Sequence, residues 1–496
     1  MKRIKIFMLA ALMAFPAMHA QNVDDALRYS QLFYSGTARF MGMGGAFTAL
    51  GGDLSTLSQN PAGLGVYRSS EVSFSPQLLN INTSANFFNG LSSDYLNNFN
   101  IGQTGVVLNL IRNNDQTGLV TLNAGYSFNK TGNFYSTTRI EGKNDYSSMA
   151  DYWVNQSNGF HYSDLEGATG IAYDAWIMDT ITGSGGYYFG TVFSNYGDNP
   201  PSIYGQNVRR IITNSGFMGE HSFSIGGNYS NKVFFGATFG INTLQFTGHY
   251  EHLESTNITL ASGFDNFNYT NHYENKGTGY AFKMGAIIKP MEYLRIGLAF
   301  HAPTVYKIDE YYYDNVSSQF DDGDRYSYSN DPMRYNYALT TPLRAIAGVA
   351  VQVQKSALVS AEYEFVDYGS ARFSETGDNF DYSEKNMELK NSLKSTGNLR
   401  LGGEVRLNKL YLRTGFGYYG KAFREGEENE NLNYTSFSAG AGFREQNIFV
   451  DFGFTRHQDS QKYFLYPVSG NTTSAMADIS TGRNVFTMTF GFKFGN

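Results

Sequence analysis

The chain has 496 residues with 37 Tyr, 40 Phe, 54 Gly, 10 Pro and no Cys, and a formal net charge of -7. The lack of Cys removes disulfide and thiolate–metal chemistry, and an acidic chain without basic tracts argues against a nucleic-acid partner. A mean hydropathy of -0.35 excludes a bundle of membrane-spanning helices, but not a membrane β-barrel, whose strands turn only alternate residues to lipid.

Residues 1–20, MKRIKIFMLAALMAFPAMHA, read as a secretory signal peptide. Lys2, Arg3 and Lys5 form the positive end, Ile6 to Ala14 the apolar run, and Ala20 a cleavage site. Removing those three cations takes the charge from -7 to -10. No later segment has 18 consecutive apolar residues, so an exported chain has no helical span. It is either soluble beyond the inner membrane or a barrel in the outer one.

Next comes Gly42 to Gly65, GMGGAFTALGGDLSTLSQNPAGLG, a run of small residues unlike anything after it. Its glycines do not follow a strand, and no Lys-Ser/Thr of a phosphate-binding loop accompanies them. A compact glycine-rich element ahead of a long β region suggests a piece that sits inside or against that region.

From Val66 onward the sequence predicts fourteen alternating segments: 69–83, 101–112, 118–140, 205–229, 232–254, 269–289, 293–313, 334–354, 357–373, 394–408, 410–423, 432–444, 447–466 and 482–494. Connections at 113–117, 230–231, 290–292, 355–356, 409 and 445–446 are short. Those at 84–100, 141–204, 255–268, 314–333, 374–393, 424–431 and 467–481 are longer and rich in Asn, Ser and Gly. Short turns at one end, long loops at the other and an even strand number predict an all-β transmembrane barrel of 14 antiparallel strands. Side-chain sidedness agrees. In 448–455, Ile448, Val450, Phe452 and Phe454 oppose Phe449, Asp451, Gly453 and Thr455. In the last segment Phe486, Met488, Phe490 and Phe492 oppose Thr487, Thr489 and Gly491. With a period of two, the first set faces lipid and the second the lumen. The insert 141–204 has helical patches at Ser147–Asn155 and Asp164–Thr182. It reads as a partly helical extracellular loop, or as a disordered acidic one.

Lumen-facing cations at Arg295, Arg344, Arg400 and Arg413 are candidate contacts for a ligand anion; the competing reading pairs them with inward carboxylates such as Glu362, Glu364, Glu404 and Asp451. The His residues lack metal-ligand spacing, and there is no Gly-x-Ser-x-Gly elbow. Neither a metal, a cofactor nor an enzymatic activity is expected.

Asn60-Pro61-Ala62, in the context ALGGDLSTLSQNPAGLG ahead of fourteen strands, resembles the FadL/TodX outer-membrane transport family. Supporting echoes are Thr341-Pro342-Leu343-Arg344, Ala361-Glu362-Tyr363 and Leu401-Gly402-Gly403-Glu404. The resemblance implies an N-terminal hatch, residues 21–66, partly helical and lodged in the lumen of a barrel formed by 67–496. It also implies passive uptake of hydrophobic compounds such as long-chain fatty acids across the outer membrane of a Gram-negative bacterium. A kink in the third strand would then give lateral exit into membrane lipid, and a monomer is expected. The matching kink candidate is Asn129-Lys130-Thr131-Gly132-Asn133, where Gly and Asn tolerate geometries that interrupt a ladder; an ordinary bulge is the alternative. Asn60, Pro61 and Ala62 would gate the hatch or simply hold its fold. The competing function is a barrel serving in protein secretion, surface attachment or reception of haem or another ligand.

Overall fold

The computed structural model describes residues 22–113, 116–197, 202–354, 356–377, 380–467 and 474–495; the signal segment 1–20 lies outside the described residues. Fourteen antiparallel barrel strands follow one another around the wall. They are β1 (Ser70–Phe87), β2 (Gly90–Arg112), β3 (Leu119–Asn133, resuming as Ser136–Asn144), β4 (Gln206–Tyr229), β5 (Val233–Ser255) and β6 (Phe264–Met291). Next come β7 (Leu294–His301 and Val305–Phe320), β8 (Arg325–Ser329, Met333–Thr340 and Arg344–Val353) and β9 (Ala357–Asp367 and Arg372–Glu375). The wall ends with β10 (Ser395–Leu407), β11 (Leu410–Tyr419), β12 (Tyr434–Glu445), β13 (Ile448–Tyr466) and β14 (Ala475–Phe494). Strand β1 pairs with β2 on one side and β14 on the other, so the sheet closes on itself. Closure removes the unpaired edges that an open sheet would present to lipid.

The predicted sidedness holds through the lower wall. Ile448 is 58% exposed, and Phe452, Phe486, Met488, Phe490 and Phe492 also face out, whereas Phe449, Asp451, Thr487 and Thr489 are buried. Higher up, the pattern reverses. On β1, Val72, Phe74 and Leu78 are exposed and Ser73, Ser75 and Gln77 buried; further along, Asn82 and Asn86 face out while Ile81, Ala85 and Phe87 are buried. The upper end of β14 likewise buries Ala475, Ala477 and Ile479 and exposes Asp478 and Ser480. A transmembrane strand needs about 9–11 residues, whereas β6 has 28. The lower wall is therefore built for lipid, and the upper wall for water outside with an apolar interior.

This reversal explains where the predicted loops fail. Segment 84–100 is not a loop: β1 and β2 meet in a tight turn at Phe88, which has φ 49. Its Asn and Ser residues are the wet outer face of a strand whose alternate residues point inward. For the same reason β6 begins at Phe264, β7 runs to Phe320 and β14 begins at Ala475, each inside a stretch read as loop. Within 374–393 a helix, Ser383–Ser392, also escaped the reading.

The insert after β3 folds over the upper end. It carries α4 (Met149–Ser157), α5 (Gly167–Asp174) and a two-stranded sheet of Met178–Thr180 with Phe189–Thr191, so both helical patches form helices. Ser148 caps α4 in a capping box with Asp151. Trp153, Ile171, Met178 and Phe193 pack against Phe267, Val316 and Leu465 of the wall in one continuous apolar cluster. Trp153 is wholly buried, so Trp153→Ala should cost about 3–5 kcal/mol locally. Limited proteolysis should then cut between residues 144 and 206 while the heat-modifiable gel mobility of the barrel is kept.

Candidate functional site

Residues 22–66 occupy the lumen as α1 (Val23–Ser30), α2 (Ala38–Gly42), α3 (Thr56–Gln59) and a 3-10 turn, Pro61–Val66. Asn22 caps α1 through Asp25 N–H at 2.8 Å and Thr37 caps α2 through Phe40 N–H at 3.1 Å. These short helices could not stand alone in water; the wall holds them by two means.

The first is contact of hatch backbone with a wall that presents glycine to it on nine strands. Strands β4 to β8 and β10 to β13 each place glycine on the inner face there: Gly226, Gly236, Gly285, Gly297, Gly348, Gly402, Gly415, Gly440 and Gly453. A Cβ on Gly402 would lie 2.6 Å from the Met43 carbonyl oxygen, and one on Gly453 2.7 Å from that of Ala38. At Gly236 and Gly297 a Cβ would overlap the Pro61 and Thr48 carbonyls, and at Gly285 the Asn60 side chain. At these five positions any side chain would displace hatch atoms.

The second is a set of charge-balanced clusters. Arg344 and Arg400 pair with Glu364, and Arg400 also with Glu362. Glu362 then accepts the Thr48 N–H at 2.9 Å and the Gln59 amide at 2.8 Å, and Arg344 donates to the Ser30 carbonyl. Arg39 of the hatch grips Glu404 with two bonds of 3.0 Å, and Arg413 joins Glu404 at 2.7 Å to Asp451 at 2.6 Å. Lys283 pairs with Glu220 and donates to the Ser58 carbonyl at 2.7 Å. His301 Nε2 donates to the Gln59 carbonyl at 2.7 Å, leaving Nδ1 to face the Tyr34 hydroxyl at 3.4 Å. Two cations meet two anions in the first cluster, two meet two in the second, and one meets one in the third. Buried charge in a lumen is tolerated on that condition.

Each sequence-predicted residue has a place in this arrangement. Asn60 is fully buried; its amide donates to the Thr48 carbonyl at 2.6 Å and its oxygen accepts the Ala62 N–H at 3.1 Å, bracing the turn that Pro61 starts. Ala62 packs on Phe234 and Ile287. Arg344, Arg400 and Arg413 are matched by wall carboxylates, whereas Arg295 donates to the Leu50 carbonyl at 2.7 Å. Lys283, expected to face the lumen, is buried there, whereas the glycine ring, Glu220 and Tyr34 escaped the reading. The signal for the ring was present, as glycine recurring at inner-face positions strand after strand.

Asn129 to Asn133 coincide with a break in the wall. The β2–β3 ladder stops at Gln103–Asn129. On the other side Lys130 pairs with Gly219 and Gly132 with Met218, so Thr131 is bulged out of register. Hatch backbone takes up the freed carbonyls: Phe33 N–H donates to Thr131 at 2.8 Å and Ser35 N–H to Lys130 at 2.8 Å. After Tyr135 the strand pairs with β4 alone, and residues 90–101 of β2 with β1 alone, among the described residues. Side chains bridge the gap instead, Thr83 donating to the Thr137 carbonyl at 2.6 Å and Thr137 to Asp94 at 3.2 Å. Beside Thr131 a cavity of about 20 Å³, lined by Tyr29, Leu32, Lys283, His301 and Arg344, has room for roughly one water. No group of three or more His, Asp or Glu among the described residues is placed to hold a metal ion.

The family model for outer membrane protein transport proteins (OMPP1/FadL/TodX) matches residues 210–494. Solved structures share the fold at low identity. A Pseudomonas aeruginosa FadL homologue superposes with a TM-score of 0.55 at 12% identity, covering 94% of this chain and 100% of that one. The Pseudomonas putida toluene transporter TodX gives 0.51 at 12%, covering 93% and 99%. The Ralstonia pickettii toluene transporter TbuX gives 0.50 at 14%, covering 93% and 99%. No curated protein sequence matches the chain.

Arg400→Met strands Glu362 and Glu364 beside a single remaining arginine, a loss of about 3–5 kcal/mol, read as a lower urea midpoint in detergent. Gly236→Leu acts differently, by displacing the Pro61 turn. The barrel should still migrate as a folded species, while the hatch becomes open to protease.

Proposed function

The chain belongs to the OMPP1/FadL/TodX family of outer membrane transport proteins, and on that premise we propose that it admits hydrophobic compounds, long-chain fatty acids among them, and releases them sideways into membrane lipid at the β2–β3 break. The observation that carries this reading is the bulge at Thr131, where the wall ladder is missing and hatch backbone stands in for the neighbouring strand. An unpaired stretch of wall facing lipid is costly unless something satisfies it. The Phe33–Ser35 segment does so reversibly, because hydrogen bonds, not covalent closure, hold it there.

The lumen at that level supports the same reading. Barrel interiors are ordinarily polar, yet around α1 the wall is lined by Phe246, Ile308, Leu339, Val366 and Phe373. An apolar tube would accept a molecule that water-filled pores exclude. It is filled here by Ala26, Leu27 and Tyr29 of α1, and the space beside Thr131 is one water wide. Passage therefore requires α1 or the Phe33–Ser35 segment to yield. By this reading the short-turn end faces the periplasm, the cap formed by 141–204 faces outward, and Asn60-Pro61-Ala62 anchors the part of the hatch that stays.

Deleting Thr131 would bring Lys130 and Gly132 into one register with Gly219 and Met218. Uptake of labelled oleate and of toluene by cells that carry the protein as their only such channel should fall at least tenfold. Surface abundance and heat-modifiable mobility should stay unchanged. Unaltered uptake in the deletion variant would rule out lateral exit at this strand, and equal uptake by cells lacking the protein would rule out transport.

A further inference from the structure

We propose that the cavity on the short-turn side of the hatch is a binding site for a small monocarboxylate with an apolar, ring-sized body, its carboxylate held by Arg295. The cavity measures about 200 Å³ and lies between the Leu50–Gly52 corner of the hatch, Val66, and the lower ends of β7 to β9. None of the residues around it lines the space beside Thr131, so it is separate from the lateral route.

Its charge is what marks it. Two guanidinium groups reach it, from Arg39 and Arg295. Arg39 is spoken for by Glu404. Arg295 gives one hydrogen bond to the Leu50 carbonyl, and among the described residues no carboxylate oxygen lies within 4.0 Å of it. The nearest acid on its strand end, Glu292, is 93% exposed and is taken by Lys289. Every other inward arginine of the wall named above is balanced by carboxylates; Arg295 is a half-buried cation with donors to spare. A planar fork of that kind suits a carboxylate.

The rest of the lining sets the size and charge of the ligand. Leu50, Val66, Ala350 and Leu358 are apolar residues of the lining. A cavity of about 150 Å³ accepts benzene, so this one takes a single ring or a chain of similar bulk, not a whole long-chain fatty acid. One unmatched cation, with the second already neutralised, selects a monoanion over a phosphate dianion. Benzoate is the simplest probe with these properties.

The test is saturation-transfer NMR and calorimetry on the purified full-length barrel in detergent, comparing benzoate with benzyl alcohol and benzylamine. Benzoate should bind at least tenfold more tightly than benzyl alcohol, and benzylamine should be rejected. Arg295→Gln should abolish the preference, whereas Arg406→Gln, at an exposed wall arginine, should leave it unchanged. Arg295→Lys keeps the charge and should retain most of the preference, and Leu358→Trp should block both benzoate and benzyl alcohol by filling the cavity; these two variants carry the test if Arg295→Gln does not fold, and benzoate binding that survives Leu358→Trp overturns the proposal. Equal binding of benzoate and benzyl alcohol to the unaltered protein, or a benzoate preference that survives Arg295→Gln, overturns the proposal. Because binding is read on purified protein and transport on cells, loss of the one is distinguishable from loss of the other.

Discussion

Backbone-to-backbone contact between the hatch and a glycine-lined wall is the constraint on which the rest of the molecule depends. A closed barrel satisfies its own ladder but leaves a lumen that must be filled or flooded. Here it is filled by short helices and turns that have no stability of their own, pressed against Gly236, Gly285, Gly297 and Gly402, where any Cβ would collide with hatch atoms. Such contact leaves many hatch carbonyls and amides facing the wall, and buried polar groups need partners. The Glu362, Lys283 and His301 bonds to Thr48, Ser58 and Gln59 provide them. The glycine ring brings the surfaces together, and the charged clusters make that closeness tolerable.

The same requirement reaches the third strand. Where β3 leaves β2, its carbonyls would face lipid or lumen unpaired, and Phe33 and Ser35 of the hatch take them. The hatch is thus both the stopper of the lumen and the surrogate neighbour of an interrupted strand. A change in the hatch would be felt in the wall. That coupling links the α1 segment that fills the lumen to the interrupted ladder of the third strand.

Above the membrane band the barrel changes character. Strands long enough to cross the bilayer twice over reverse their sidedness, and the lipid-like rule of apolar outside becomes the soluble-protein rule of apolar inside. The cap with Trp153 at its centre is the core of that upper part. The upper half behaves as a water-soluble β-domain grown on a membrane barrel, which accounts for tight hairpins such as the one at Phe88 where long loops would otherwise stand.

The fourteen-stranded barrel, the sidedness of its lower wall and the two helices of the 141–204 insert are all legible in the sequence alone. Period-two alternation and helical periodicity are local properties, and local properties are written in consecutive residues. The sequence did not determine that 84–100 is strand, because Asn and Ser on a wet outer face look like loop until the apolar interior they cover is known. Nor did it choose between the two readings of the inward arginines. Arg344, Arg400 and Arg413 found carboxylates contributed by other strands and Arg295 found none, because charge pairing across a lumen depends on register and barrel closure, which only the tertiary structure sets.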